Sequence, residues 1–314
     1  MLELKSLKKY FPVGRTLLRA VDDVSLTIGN DDILGVVGES GCGKSTLGRL
    51  ALRLIEPTAG SVVFKGIELT RLPRRKLSLA RQRMQMVFQN PFASFNPKLR
   101  LIASLIEVCR YYDMDTATAH TKIRRLIAEF GLSEDTLPRY PQELSGGQLQ
   151  RFAIARALLS DPEILIADEP VSALDVSVQA QLLNLFALLR ANRRCEGRNL
   201  SMLFISHDMS VIEYLCDRVA VMYLGKLVEL APSDVLFRDT AHPYTQALIA
   251  AAPRLGRSRA AAVALRGEVA NPGAGNAVGC VFAPRCPHAV RQCRAEVPTL
   301  REIGARHAVA CHAL

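Results

Sequence analysis

With 314 residues, 49% of them hydrophobic, the chain is long enough to bury one large core and a smaller appended unit, which excludes a disordered polypeptide. No apolar run approaches the ~18 residues that cross a bilayer, and the start, Met1-Leu2-Glu3-Leu4-Lys5, has no apolar leader, so the expected place is the cytosol. The net charge of +10 is spread out and lacks the interleaved aromatics that stack on bases, which argues against a nucleic-acid partner; the nine arginines against three glutamates in residues 251–314 also suit anionic lipid headgroups.

In chain order, apolar and polar residues alternate up to about Ile28 (Leu2, Leu4, then Val21, Val24, Leu26, Ile28), which predicts antiparallel strands in a small β layer. Ile33–Val37 reads as a buried parallel strand. The spacing over Ser45–Ile55 predicts a helix that stops at the turn Glu56-Pro57-Thr58-Ala59-Gly60, and strands follow at Ser61–Phe64 and Met84–Phe88. From about Leu99 to Leu159 the period turns helical, with Ile123, Leu126, Ile127 and Phe130 at i, i+3, i+4 and i+7, which predicts a helical insertion into an α/β core. The apolar runs Ile164–Ala167 and Met202–Ile205, joined by a helix over Val178–Arg190, predict parallel strands in a doubly wound sheet. A helix over Pro243–Ala252 leads into Pro253–Gly279, whose Gly, Ala, Arg and Pro predict a linker before a compact tail.

The chemistry begins at Gly38-Glu39-Ser40-Gly41-Cys42-Gly43-Lys44-Ser45-Thr46, between the strand Ile33–Val37 and a helix. Such a loop aims backbone N–H groups at phosphate oxygens, Lys44 adds a mobile positive charge, and the Ser45 hydroxyl suits Mg²⁺. At the end of the strand Ile164–Ala167, Asp168 is placed to hold Mg²⁺ and Glu169 to polarise an attacking water. Leu144-Ser145-Gly146-Gly147-Gln148 precedes a predicted helix Leu149–Leu159 and offers a second anion-binding helix start, with Ser145 as N-cap. His207 follows an apolar strand; taken alone it fits a satisfied core histidine better than a site residue.

Two phosphate-binding helix starts in one chain resemble the ATP-binding subunits of ABC transporters. In that family the LSGGQ signature of one subunit (Ser145, Gly146, Gly147 and Gln148 in this chain) closes over ATP held by the phosphate loop of its partner. The remaining markers follow in order: Gln89 as the Q-loop, Ser172-Ala173-Leu174-Asp175 as the D-loop, and His207 as the switch histidine. The resemblance spans essentially the whole chain. It implies an α/β, P-loop NTPase (RecA-like) core with an antiparallel β subdomain, a helical insertion and a small Cys-bearing C-terminal extension. It further implies ATP and Mg²⁺ as ligands, with Ser45, Gln89 and Asp168 near the metal, Glu169, His207 and Gln89 in hydrolysis, and Asp175 at the dimer seam. An aromatic residue upstream stacks on adenine in this family; Phe11 fits, with Tyr10 as a rival.

The stretches Gln89–Pro97, Asp217–Gly225 and His242–Leu248, and the tail Gly279-Cys280-Val281-Phe282-Ala283-Pro284-Arg285-Cys286-Pro287, look like the dipeptide/oligopeptide and nickel importer branch. Leu149, where that branch more usually has arginine, is a departure beside the signature. The branch implies a second ATPase subunit (a copy or a paralogue), two transmembrane permease subunits, indirectly an extracytoplasmic substrate-binding protein, and a place on the cytoplasmic face of the inner (plasma) membrane. Dipeptide, longer peptide, peptide-like antibiotic and nickel all remain open as cargo. A soluble ABC ATPase acting on nucleic acid or ribosome is disfavoured by the single phosphate loop and single signature, and by only about a hundred residues between Lys44 and Ser145, too few for long coiled coils. Intact Glu169 and His207 argue against a cassette that binds nucleotide without hydrolysis. The expected domains are 1–240, with a helical subdomain about 92–159, and 241–314.

Four of the eight cysteines lie in the last 35 residues with spacing Cys-x5-Cys-x6-Cys-x17-Cys: Cys280, Cys286, Cys293 and Cys311. In a reducing cytosol the chemistry leaves four free thiols, zinc or an iron–sulfur cluster, with His288, His307 and His312 as substitute ligands. Resemblance to the importer branch favours a [4Fe–4S] cluster, as a structural clip, over zinc.

Overall fold

The computed structural model describes residues 1–14, 16–172, 174–252 and 278–314. They fall into two compact units, Met1–Arg71 with Phe204–Leu314, and Leu72–Leu203.

The first unit opens with the antiparallel layer that the alternation predicts. Leu2–Val13 pairs with Thr16–Ile28 on one side and with Ala59–Phe64 on the other. Leu2, Leu4, Leu7, Val21, Val24, Leu26 and Ile28 turn their side chains inward and are buried, because alternate residues of a strand share one face. Beside it Ile33–Val37, buried at every position, runs parallel to Arg218–Tyr223. Arg218–Tyr223 then turns through Leu224 and Gly225 into Lys226–Pro232, antiparallel to it. His307–Val309 pairs with Lys226–Pro232, and Arg301–Gly304 pairs with His307–Val309, both antiparallel. The expected doubly wound parallel sheet is therefore mixed: tail strands that the sequence reading left out extend it with antiparallel pairs.

In the second unit Met84–Val87 lies parallel to Ile164–Asp168, in register from Met84 opposite Ile164 to Val87 opposite Ala167. The helical stretch resolves into Leu101–Tyr111, Thr116–Glu129 and Gly146–Leu158. Asp115 caps the second of these by accepting the Thr118 N–H at 3.0 Å. Ile123, Leu126 and Ile127 form its buried stripe, and Phe130 at its C-cap is also buried.

Several boundaries move. The helix after the phosphate loop ends at Ala51 instead of Ile55, and the crossover helix runs from Val176 to Cys195, longer at both ends than expected. The third insertion helix starts at Gly146, three residues earlier, because a capping box satisfies its first turn despite the two glycines. Arg74–Gln82 is a helix that apolar spacing did not reveal, its one buried residue being Leu77. The predicted linker falls at residues 253–277, outside the described residues, apart from Val278 and Gly279.

Candidate functional site

Two sets of site residues occupy the two units. In the first, the strand Ile33–Val37 delivers the loop Gly38–Thr46, and the helix Lys44–Ala51 follows at once. Gly43 is the N-cap of that helix at φ 107°, a left-handed conformation; a Cβ there would meet the Ala20 carbonyl oxygen at 1.9 Å, so only glycine fits. Gly43 has no side chain with which to cap this helix start, an end of the helix that suits an anion. Lys44, 4% exposed, donates from Nζ to the carbonyl oxygens of Gly38 at 2.7 Å and Glu39 at 3.0 Å. Ser40 and Gly41 are exposed, Ser45 and Thr46 half-buried, and Cys42 is buried, which pushes its thiol pKa up.

His207 lies in this unit just past the strand Ser201–Ile205 and is exposed, which removes the core-histidine alternative. Its turn is fixed beside the phosphate-loop strand by the Ser206 N–H donating to the Val36 carbonyl at 3.1 Å. Upstream, the Tyr10 hydroxyl donates to Asp22 Oδ1 at 2.5 Å, and the Arg19 guanidinium lies 5.6 Å from the Tyr10 ring centre. Burial, and then Asp22, push the Tyr10 pKa up to about 12. Phe11 is half-buried, with Lys9 Nζ 5.0 Å from its ring centre.

In the second unit, Gln89 Nε2 donates to Glu169 Oε2 at 2.9 Å, joining the Q-loop to the end of the strand that carries Asp168. Asp168 is 2% exposed. Glu169 has φ 46°, an uncommon left-handed backbone for a residue with a side chain, and the Ser172 hydroxyl donates to its carbonyl at 3.0 Å. The signature forms a complete capping box: Gln148 N–H donates to Ser145 Oγ at 3.3 Å, and Ser145 N–H donates to Gln148 Oε1 at 3.1 Å. Gly147 packs against the start of the helix Val176–Cys195 so closely that a Cβ would meet Val178 Cγ1 at 2.7 Å. Gly146 lies over Leu174, and Asp175 is the exposed N-cap of that helix; Ala173 lies outside the described residues. The signature and the segment Leu174–Val178 thus form one surface.

The chain matches the family described as ABC transporter over residues 21–172 and that described as oligopeptide/dipeptide transporter, C-terminal region, over residues 228–293. It is 46% identical over 324 residues to the oligopeptide transport ATP-binding protein AppF of Bacillus subtilis, covering 99% of this chain and 97% of that one. It is 47% identical over 321 residues to the "Probable peptide ABC transporter ATP-binding protein y4tS" of Sinorhizobium fredii, with 99% and 89% covered. This chain belongs to the ABC transporter ATP-binding proteins. The solved dimeric structure of MJ0796, a bacterial ABC transporter cassette, superposes on this cassette with a TM-score of 0.67 at 27% identity, covering 74% of this chain and 99% of the other. A second structure of MJ0796, a post-hydrolysis state bound to ADP and Pi, gives a TM-score of 0.66 at the same identity. The fold is accordingly the α/β P-loop cassette expected from the motifs. No helix among the described residues of this cassette is long and apolar enough to cross a membrane.

The four-cysteine expectation does not hold for this ABC cassette as a metal site. Among its described residues no group of three or more His, Cys, Asp or Glu is arranged to hold a metal ion. Cys293 and Cys311 are buried, Cys280 and Cys286 half-buried, and burial, with the neighbouring cysteines, pushes the Cys280 and Cys286 thiols up in pKa. Two of the three substitute ligands are engaged elsewhere: His307 Nε2 meets Glu229 Oε1 at 2.8 Å, and His312 Nε2 meets the Glu296 carbonyl at 3.0 Å. Among the described residues neither an iron–sulfur cluster nor zinc finds a group of ligands arranged for it.

The sequence reading missed Glu229. It is wholly buried, and it accepts from Ala241 N–H at 2.8 Å, from His242 N–H and the Thr240 hydroxyl at 3.1 Å each, and meets His307. It also missed Glu39, Tyr244 and Arg285 as a set. Arg285 stood beside a cysteine in a stretch noted for its likeness to the importer branch, but its partner is 246 positions away, so no local pattern marked it.

Proposed function

We propose that this cassette is the ATP-binding and hydrolysing subunit that powers import of dipeptides or oligopeptides through an ABC transporter. The observation that carries the reading is the match of residues 228–293 to the oligopeptide/dipeptide transporter C-terminal region, joined in one chain to the ABC cassette. The organisation that fits is a nucleotide-binding domain over 1–240, with its helical subdomain about 92–159, and the extension 241–314.

In this reading Gly38, Ser40, Gly41, Cys42, Gly43, Lys44, Ser45 and Thr46 hold the phosphates of ATP, and Phe11 takes the adenine. Ser145, Gly146, Gly147, Gln148 and Asp175 face the nucleotide of a second ATPase subunit, identical or paralogous. Magnesium is assigned to Ser45, Gln89 and Asp168, a set of hard oxygen donors that suits this ion, which neutralises phosphate charge when bound. Glu169 orients and polarises the attacking water; Gln89 holds that carboxylate in one orientation and reports nucleotide state to the permeases. His207 supports the transferred phosphoryl group by hydrogen bonding without a proton transfer of its own. Two permease subunits anchor the cassette at the cytoplasmic face of the membrane, and an extracytoplasmic binding protein reaches it only through them.

The test is reconstitution with the permeases and binding protein of a peptide importer. Peptide-stimulated ATP hydrolysis with peptide uptake supports the reading. Coupled hydrolysis stimulated by nickel and not by peptide would overturn the cargo class, and stimulation by nucleic acid alone would overturn the transport role.

A further inference from the structure

The phosphate loop is gripped by residues from the other end of the chain. Every polar group of Glu39, the second residue of the loop, is engaged. Its N–H donates to the Tyr244 hydroxyl at 2.8 Å, and its carbonyl accepts from Lys44 Nζ at 3.0 Å and from Cys42 N–H at 3.3 Å. Its carboxylate takes a two-pronged grip from Arg285, with Nη1 to Oε2 at 2.8 Å and Nη2 to Oε1 at 3.1 Å. Paired contacts of this kind fix the rotation of a carboxylate as well as its distance.

Arg285 is itself held. It is 8% exposed; its N–H donates to the Phe282 carbonyl at 3.0 Å, and its Nη1 lies 3.4 Å from the Tyr223 hydroxyl. Phe282, 1% exposed, packs against the rings of Tyr223 at 5.2 Å, Tyr244 at 5.5 Å and His242 at 5.6 Å, so the tail enters a cluster built by the strand Arg218–Tyr223 and the helix Pro243–Ala251. Burying a guanidinium is costly unless its charge is matched, and Glu39 supplies the match.

We propose that Arg285 and Tyr244 are positioning residues for the phosphate loop: by fixing Glu39 they set where Lys44 rests, and thereby the affinity of this cassette for ATP. The inference rests on the nucleotide-binding reading above and adds that the C-terminal segment is part of the phosphate site's support. Lys44 rests on the carbonyls of Gly38 and Glu39; if Glu39 is free to turn, those acceptors shift and the ammonium loses its placement.

The experiment uses the full chain, a fluorescent trinitrophenyl derivative of ATP as binding probe, and ATPase kinetics resolved into KM and kcat. Arg285→Gln and Glu39→Gln should each raise the dissociation constant and KM about tenfold, kcat changing less. The double variant should be no worse than either single one, because both remove the same contact. Tyr244→Phe, which keeps the ring packing and deletes one acceptor, should raise KM about threefold, and Arg285→Lys should recover part of the loss. A purely structural grip would lower the melting temperature and leave KM alone, so a folded Arg285→Gln chain with wild-type KM overturns the inference, as does a double variant whose effect is the product of the singles. If Arg285→Gln does not fold, Tyr244→Phe decides: an unchanged KM overturns the inference. A wild-type chain that binds no ATP at all would overturn the nucleotide reading itself, an outcome distinct from normal binding that ignores Arg285.

Discussion

Gln89 and Glu169, 80 positions apart, are joined by a hydrogen bond of 2.9 Å from an amide nitrogen to a carboxylate oxygen. A carboxylate that must orient one water benefits from a fixed rotamer, and an exposed glutamine can release it when something docks on the Q-loop. Glu169→Gln should therefore keep ATP affinity within a fewfold while lowering turnover about a hundredfold or more, checked by phosphate release alongside equilibrium ATP binding. Undiminished hydrolysis would remove Glu169 from its role.

The signature helix and the helix Val176–Cys195 approach so closely at Gly147 that a Cβ there would press on the Val178 side chain. Gly147→Ala should cost about 1–3 kcal/mol, since its Cβ would sit 2.7 Å from Val178 Cγ1. Val178→Ala in the same chain should recover part of that loss, measured by urea denaturation. Equal stability of Gly147→Ala and wild type would show that the two helices part without cost.

His242 should make the fold acid-sensitive. Burial, opposed only partly by Glu229, lowers its pKa from 6.5 to about 4, and its neutral Nδ1 accepts the Tyr244 N–H at 3.1 Å as the cap of the helix Pro243–Ala251. Below pH 6.5 the unfolded chain takes up a proton at this position that the folded chain refuses until about pH 4. Stability present above pH 6.5 is thus lost as pH falls toward 4, by about 3 kcal/mol. His242→Asn keeps a capping acceptor and cannot titrate, so urea midpoints followed from pH 7 to pH 4 should fall less steeply for this variant.

Adenine stacking separates Phe11 from Tyr10. Tyr10 is tied to Asp22, whose carboxyl burial alone would raise but which the Lys226 and Tyr10 hydrogen bonds hold below the usual range. Phe11→Ala should weaken ATP binding about fivefold, whereas Tyr10→Phe should leave affinity unchanged and cost about 1 kcal/mol of stability. Isothermal titration with ATP, paired with denaturation, distinguishes them; the reverse pattern would move the stacking role to Tyr10.

What was legible in the sequence was local. The phosphate loop, the Ser145 cap and the strand ending at Asp168 each follow from neighbours within a few positions, where backbone geometry and side-chain type act together. The signature helix was read three residues short because glycines weigh against helix unless the reciprocal bonds of Ser145 and Gln148 are counted. The strands Arg301–Gly304 and His307–Val309 have too few residues for a period to emerge; pairing with Lys226–Pro232 makes them strands. His307, one of the histidines considered as a metal ligand, is drawn away by Glu229, an unremarkable acidic residue in the sequence that is buried in the fold.

That buried carboxylate carries a further consequence. Glu229 binds His307 and the start of the helix Pro243–Ala251, while Phe282 and Arg285 hold the tail to the body at separate points. The tail is thus moored non-covalently at more than one place. A polypeptide nicked by a protease between Ala252 and Val278 should survive gel filtration as a single particle, and its two pieces, expressed apart, should reassemble by fragment complementation.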